Sequence, residues 1–173
     1  MADLADSAAT RSDCPGWDTA VIEQERWQAR PVPGLRQITL NGDVRGARAA
    51  LAPDAGEVRL WGHAATQPYM VRLARDRALL VSSQKVEADG ASQAAGWVAS
   101  DSNDAFRVFD MSDPAVAELV REGPSADLAC GSPSASVLFA GVTVALYRSG
   151  AGAARIHVAN DMGRGRICED DSK

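Results

Sequence analysis

The chain offers few side chains that could act as nucleophiles or metal ligands: two histidines and three cysteines in 173 residues. His63 and His157 lie far apart in the chain, and Cys14, Cys130 and Cys168 show no Cys-x-x-Cys spacing. A zinc site usually takes its ligands from closely spaced pairs of such residues. An odd number of cysteines is also atypical of a secreted disulfide framework. These residues therefore predict neither a zinc site nor a disulfide-stapled fold.

Each candidate for acid–base or nucleophilic catalysis has a structural interpretation that the sequence favours. His63 could be a general base, but no neighbour is placed to orient it, which favours a turn or interface histidine. His157 lies between two apolar residues, so the alternation predicts an exposed histidine on one face of a strand. Cys130 has no nucleophile motif around it and is predicted to be a small buried or loop cysteine. We therefore predict no catalytic, cofactor-binding or metal-binding residue on this chain.

Charge and hydropathy exclude two further classes of function. The 18 basic and 23 acidic residues give a net charge of −5, and the arginines are scattered, so nucleic-acid binding is not expected. The longest apolar run, 137–147, is too short to cross a bilayer, which takes about 20 residues. The first six residues carry acids where a signal peptide would carry basic residues. We therefore expect a soluble, cytoplasmic protein without a membrane partner.

The first half of the chain combines apolar strands with one short helix. The apolar runs predict four strands, at 35–40, 58–61, 69–74 and 78–81, the last two forming a hairpin. Asp43 follows an Asn-Gly turn and is placed to cap a helix over 44–51. Residues 82–104 are rich in Ser, Gln, Ala and Gly. They predict a linker, or a helix over 86–98.

The second half repeats this pattern. Its apolar runs predict strands at 105–109, 136–140, 142–147 and 154–158, and the last two again form a hairpin. Pro114 suits the first turn of a helix, and the apolar stripe of Val116, Leu119 and Val120 predicts that helix over 115–121.

The repeated layout predicts the fold class and the domain organisation. Asp43 and Asp113 each stand between an apolar strand and a short helix. We predict an α+β fold in which two duplicated strand-helix-strand-strand units share one antiparallel sheet, with helices on one face. The predicted segments are a flexible arm at 1–16, a single domain at 17–160 and a flexible tail at 161–173. Within the domain, the two units are predicted at about 31–83 and 105–158, and a linker at 84–104 joins them.

Short motifs of the second half occur in the same order in a known family. Phe106-Arg-Val-Phe-Asp-Met-Ser-Asp-Pro114 is an aromatic strand leading into a turn, and Val120-Arg-Glu-Gly123 closes a helix. Ala126-Asp-Leu128, the strand at 137–144 and Arg155-Ile-His-Val158 follow. This stretch resembles the gamma subunit of heterotetrameric sarcosine oxidase. A looser similarity in the first half extends the resemblance to about 30–158.

The resemblance implies a non-catalytic accessory subunit. The family's complexes are bacterial flavoproteins that oxidise sarcosine or related N-methyl amines and pass the one-carbon unit to tetrahydrofolate. The gamma subunit packs against the large alpha subunit, in a complex that also contains beta and delta subunits. FAD, FMN, NAD, zinc and tetrahydrofolate are then expected in the partner subunits, and this chain itself is expected to bind no cofactor.

Two other functions stay open on the sequence. Because the gamma subunit is similar in fold to the folate-binding domain of aminomethyltransferases, the chain could be a stand-alone folate-binding or aminomethyltransferase-like module. That function needs a carboxylate in a central cavity to hold a pterin-like ring. The acids associated with the repeat are Asp43, Asp110 and Asp113, and the first and last are placed as helix caps. A scaffold for some other partner is the remaining option.

The tryptophans supply the predicted partner interface. Trp17, Trp27 and Trp97 stand outside the repeated apolar pattern, and tryptophan is enriched at the centres of protein interfaces. We predict that these three contact a partner subunit, whereas Trp61 is predicted to be buried in the core.

Overall fold

Twelve strands and one helix lie in the part of the chain that the computed structural model describes, which is 19, 21–23, 28–88, 91–92, 95–112, 131–139, 141–150 and 153–160. The helix is α1 (Val44–Leu51). The strands are β1 (Ile22–Glu23), β2 (Gln28–Pro31), β3 (Arg36–Gly42), β4 (Gly56–Val58), β5 (Tyr69–Ala74), β6 (Arg77–Ser82), β7 (Ala91–Ser92), β8 (Trp97–Asp101), β9 (Phe106–Ser112), β10 (Ser136–Phe139), β11 (Val142–Gly150) and β12 (Ala153–Ala159).

The strands form two six-stranded sheets. The first sheet has the order β4-β5-β6-β3-β8-β7, and the second has the order β1-β2-β9-β12-β11-β10. Neighbouring strands are antiparallel except for β4 and β5, which are parallel. The α+β class agrees with this architecture, but the single shared sheet is wrong. Since the strands of each half are apolar on both faces, one sheet covered by helices on one side would leave apolar residues in water.

The two sheets stack, so that apolar residues on both faces of each sheet are kept from water. The buried apolar residues form three clusters. Between the sheets, residues of β5 and β6 meet Ala135, Ala145 and Tyr147 of the second half. The outer face of the first sheet packs against Val44 and Ala47 of α1. The outer face of the second sheet forms its own cluster, which also includes Leu60 of the segment after β4. Each sheet therefore buries apolar residues on both of its faces.

The helix α1 has the predicted bounds and the predicted cap. The Asp43 carboxylate accepts a hydrogen bond from the backbone N–H of Gly46 at 3.1 Å, which satisfies one of the free donors of the first turn. Val44 and Ala47 are buried against the first sheet. No helix in the described part of the chain is long and apolar enough to cross a membrane.

The predicted helix over 86–98 is wrong, because the end of this segment is a strand. The backbone of β8 pairs with β3, with Ala99 opposite Leu40, and so occupies the edge of β3 that β6 leaves free. The chain turns into β8 at Gly96, whose φ of 75° lies in the left-handed region that favours glycine. Pairing with a neighbouring strand edge is a tertiary requirement, which the polar composition of 82–104 does not reveal.

The two sheets repeat one order of strands. In each, a hairpin (β5–β6 or β11–β12) pairs through its second strand with a strand that lies two strands earlier in the chain (β3 or β9). A further strand pairs with the other edge of that earlier strand. The predicted duplication would produce this order and remains a prediction. The predicted helix over 115–121, the arm at 1–16 and the tail at 161–173 lie outside the described residues.

The burial of the sheets predicts a large difference between two leucines. Leu80 is 1% exposed beneath α1, whereas Leu138 on the edge strand β10 is 62% exposed. We expect Leu80→Ala to lower the free energy of unfolding by about 2–5 kcal/mol, because it leaves a cavity in a packed cluster. Leu138→Ala should change it by less than about 0.5 kcal/mol. Denaturant titration of both variants measures this, and equal losses would contradict the layer arrangement.

Candidate functional site

A chain of hydrogen-bonded polar side chains runs through the apolar layer between the sheets. We call it the inter-sheet polar chain; its members are Gln37, Tyr69, Asp110, Tyr147, Arg155 and His157. The first sheet supplies Gln37 from β3 and Tyr69 from β5, and the second sheet supplies the other four. Tyr147 and His157 are completely buried, and Gln37 and Tyr69 are 2% exposed. These side chains face inward because their neighbours along each strand belong to the outer clusters.

Short contacts join the uncharged members of this chain. His157 Nδ1 lies 2.7 Å from Gln37 Oε1, and His157 Nε2 lies 2.7 Å from the Tyr147 hydroxyl. The hydroxyls of Tyr147 and Tyr69 are 2.9 Å apart. The rings also touch, since the Tyr147 and His157 rings stack with centroids 5.5 Å apart. The Gln37–His157 and Tyr69–Tyr147 contacts each cross from one sheet to the other.

The Gln37 amide sets the direction of the proton donors along this chain. Its Nε2 donates to the carbonyl of Phe106 at 3.4 Å, which turns Oε1 towards the imidazole. His157 therefore donates from Nδ1–H and accepts at Nε2 from the Tyr147 hydroxyl. Tyr147 in turn accepts from the Tyr69 hydroxyl. The imidazole is neutral, because burial, assisted by the nearby Arg155 cation, lowers the pKa of His157 to about 3.

An ion pair closes the other end of the chain. Arg155 Nη1 donates to the Tyr69 hydroxyl at 3.0 Å, while Nε and Nη2 donate to the two carboxylate oxygens of Asp110, both at 2.8 Å. Burial by itself would lower the pKa of Arg155, but the hydrogen bonds to Asp110 outweigh it and raise that pKa, so the guanidinium stays charged. Burial, together with the adjacent Tyr69, raises the pKa of Tyr147 well above its ordinary value, so the phenol stays protonated.

The arrangement makes His157 a structural residue. Both ring nitrogens are hydrogen-bonded and the ring is completely buried, so it has no free lone pair for a substrate. The predicted exposed position of His157 is wrong, because a second sheet covers the face that the alternation left to solvent. In the described ranges, no three His, Cys, Asp or Glu side chains lie close enough to hold a metal ion.

The structure places the other histidine and the predicted core tryptophan at a turn. His63 is exposed, and its backbone pairs with that of Arg148 in an isolated bridge. Trp61 is half-buried rather than fully buried, with a left-handed φ of 60°. The Arg148 guanidinium lies over its ring, 4.7 Å from the centroid.

Of the predicted interface tryptophans, the structure describes Trp97. This side chain is half-buried and packs against the cluster on the outer face of the first sheet, beside α1. Trp17 and Trp27 lie outside the described residues, as do Cys14 and Cys130. A partner interface at these tryptophans remains a prediction. Cys168 also lies outside the described residues.

The residue types of the inter-sheet polar chain carry a signal that the strand-by-strand predictions missed. Tyr147 and Arg155 each lie in a strand where apolar residues occur at both odd and even positions. A polar side chain in such a strand must be buried with a partner, because neither face is open to water. That rule identifies Tyr147 and Arg155 as candidates, but it misses Gln37, whose strand β3 is apolar only at even positions. It also does not identify which pairs meet across the sheets.

The fold and the inter-sheet polar chain define a β-rich α+β domain of two stacked sheets with a polar link at its centre. No protein-family model matches the sequence, and the comparison with curated proteins found no match. The structure is similar to a chain of the heterotetrameric sarcosine oxidase from Corynebacterium sp. U-96, solved in complex with pyrrole 2-carboxylate. The TM-score is 0.55, with 20% sequence identity over 83% of this chain and 81% of that chain. A structural relation to a chain of that complex is therefore shown.

Removal of one hydroxyl from the inter-sheet polar chain should destabilise the protein. Tyr147→Phe leaves His157 Nε2 without its donor and Tyr69 without its acceptor, both in a buried layer. We expect a loss of about 1–3 kcal/mol in the free energy of unfolding. Thr143→Val, at an exposed position of the same strand, is the matched control and should be nearly neutral. Chemical denaturation measures both, and a neutral Tyr147→Phe would contradict the role assigned to this chain.

The neutral buried imidazole predicts a pH dependence of stability. Below pH about 6.5 the unfolded chain binds a proton at His157, whereas the folded chain, with a pKa of about 3, does not. Stability should therefore fall as the pH is lowered from about 7 to 5, by up to about 1.4 kcal/mol per pH unit. Glu57, whose pKa is lowered from 4.5 chiefly by its hydrogen bond from Arg72, contributes below this window.

Two histidine variants separate this effect from the rest of the protein. His157→Gln should flatten the dependence of the unfolding free energy between about pH 7 and 5, although the variant is less stable overall. His63→Gln, at an exposed site, should leave the slope as in the wild type. If both variants keep the wild-type slope, His157 is not the group that titrates.

Proposed function

We propose that this chain is a non-catalytic, gamma-like accessory subunit of a heterotetrameric, flavin-dependent sarcosine or N-methyl amine oxidase. The observation on which the proposal rests is the similarity in fold to a chain of heterotetrameric sarcosine oxidase. The similarity extends over about four-fifths of both chains, so the matched chain has nearly the same length as this one. A chain of that size is consistent with a smaller subunit of the complex rather than the large alpha subunit.

The interior of the domain supports an accessory role over a catalytic one. The titratable side chains between the sheets are bound to one another in the inter-sheet polar chain. His157 has both nitrogens engaged and is completely buried, so it cannot act as a general base. In the proposed complex, the redox chemistry, the FAD, FMN and NAD, the zinc and the tetrahydrofolate belong to the alpha, beta and delta subunits, and this chain packs against the alpha subunit in the bacterial cytoplasm.

The alternative, a stand-alone folate-binding or aminomethyltransferase-like module, has less support from the geometry. It needs a free carboxylate facing a central cavity. Both Asp110 oxygens accept hydrogen bonds from Arg155, and Asp43 caps α1 at the surface. Asp113 lies outside the described residues. Asp110 is thus committed to an ion pair and Asp43 to a helix cap, which gives the alternative less support.

Purification of the chain alone and of its native complex tests the proposal. The isolated chain should be colourless and should not oxidise sarcosine or related N-methyl amines. An affinity tag on this chain in its own host should recover a complex with flavin absorbance, sarcosine oxidase activity and a large flavin-binding subunit identified by mass spectrometry. Stoichiometric flavin in the isolated chain, or a tagged preparation that contains no flavin-binding subunit, would overturn it. Saturable binding of tetrahydrofolate to the isolated chain would favour the alternative.

A further inference from the structure

An open groove of about 580 Å³ lies beside the N-terminus of α1, away from the inter-sheet polar chain. Residues at the start of α1, of β4 and β5, and of the loop before β10 form its walls. The charged side chains that line it are four arginines and two acids: Arg45, Arg59, Arg72, Arg75, Asp43 and Glu57. Among the described residues, this lining has an excess of two positive charges, in a chain whose net charge is −5.

Glu57 and Arg72 form the fixed part of the groove. Arg72 Nη2 donates to Glu57 Oε2 at 2.9 Å, and Arg72 Nη1 donates to the backbone carbonyl of Arg75 at 3.1 Å. The Arg72 side chain is 13% exposed, so its position is defined by these contacts. Arg59 Nε donates to the other Glu57 oxygen at 3.1 Å. The single carboxylate therefore holds two guanidinium groups close together and compensates only one of their charges.

Arg45 and Arg75 add further positive charge to the groove. Both are exposed, and neither side chain has an ion-pair or hydrogen-bond partner within the described ranges. The other acid in the lining, Asp43, accepts the N–H of Gly46 as the cap of α1. Ser134 adds a polar side chain from the second half of the chain, where its hydroxyl donates to the Leu73 carbonyl. The groove thus combines free guanidinium groups with a fixed Arg–Glu pair.

We infer that this groove binds an acidic segment of a protein partner through its Asp and Glu side chains. Guanidinium groups pair with carboxylates through two parallel hydrogen bonds, and complementary charge directs docking and speeds association. A small anionic ligand fits less well. Sites for small molecules enclose most of the ligand between apolar walls, whereas Arg45, Arg59 and Arg75 are exposed and no aromatic residue lines the described groove. The inference rests on the groove itself and is independent of the proposed function.

Binding of a labelled oligoglutamate peptide to the full chain tests the inference. Fluorescence anisotropy should show saturable binding that weakens as the ionic strength is raised from about 0.05 to about 0.5 M, since salt screens exposed charges. The double variant Arg45→Glu/Arg75→Glu should weaken binding by about tenfold or more. The control Arg30→Glu/Arg36→Glu makes the same change of net charge at exposed arginines outside the groove, and should stay within about twofold of the wild type.

Further measurements make each outcome decisive. Melting temperatures verify that every variant is folded; if the charge-reversed groove variant is not, Arg45→Gln/Arg75→Gln replaces it against Arg30→Gln/Arg36→Gln. No binding of the peptide, or equal weakening in the groove and control variants, would overturn the inference. Inorganic pyrophosphate serves as the small-anion probe. If it binds the wild type more tightly than the peptide does and depends on Arg45 and Arg75, the groove is a site for a small anion instead.

Discussion

The hydrogen bonds that His157 donates to Gln37 and accepts from Tyr147 are the constraint on which the stacking of the sheets depends. Stacking removes the space between the sheets from water, so every polar group there needs a partner in the opposite or the same sheet. His157 meets this requirement with both of its ring nitrogens. Nδ1 bonds to Gln37 in the opposite sheet, and Nε2 bonds to Tyr147 in the same sheet. Any sliding of one sheet over the other would break the Gln37–His157 and Tyr69–Tyr147 contacts together. The polar contacts therefore select one relative position, which apolar packing alone specifies less sharply.

The same hydrogen bonds commit the polar side chains of the interior to the fold rather than to a ligand. A buried network whose donors and acceptors are all engaged stabilises a unique structure, but it has no group to offer to a substrate. Among the described residues, features available for interaction lie at the surface: the arginine-lined groove beside α1, the half-buried Trp97 and the exposed Leu138 of the edge strand β10. This distribution supports the proposed role of the chain as a subunit that binds other proteins.

The groove and the inter-sheet polar chain also use arginine in two different ways. Arg155 is mostly buried, and its guanidinium donates to Asp110 and Tyr69, where these bonds contribute to the fold. Arg45 and Arg75 are exposed, so their contribution to stability is small and their charge is available to a partner. Arg72 lies between these extremes. Its side chain is fixed by contacts with Glu57 and the Arg75 carbonyl, yet it lines the surface groove together with the exposed arginines.

Local sequence determined most of the secondary structure and little of the candidate site. The helix over 44–51, its Asp43 cap and the two hairpins follow from short-range patterns, because caps, turns and alternation act between residues close in the chain. The structure confirms each of them. Residues 97–101 could not be predicted as a strand, since their partner is the edge of β3. Whether there are one or two sheets, and whether His157 faces water or Gln37, was decided only by the tertiary structure. The cause is physical: the partner that covers the inner face of β12 is a strand 120 positions earlier in the chain, and burial depends on that distant surface.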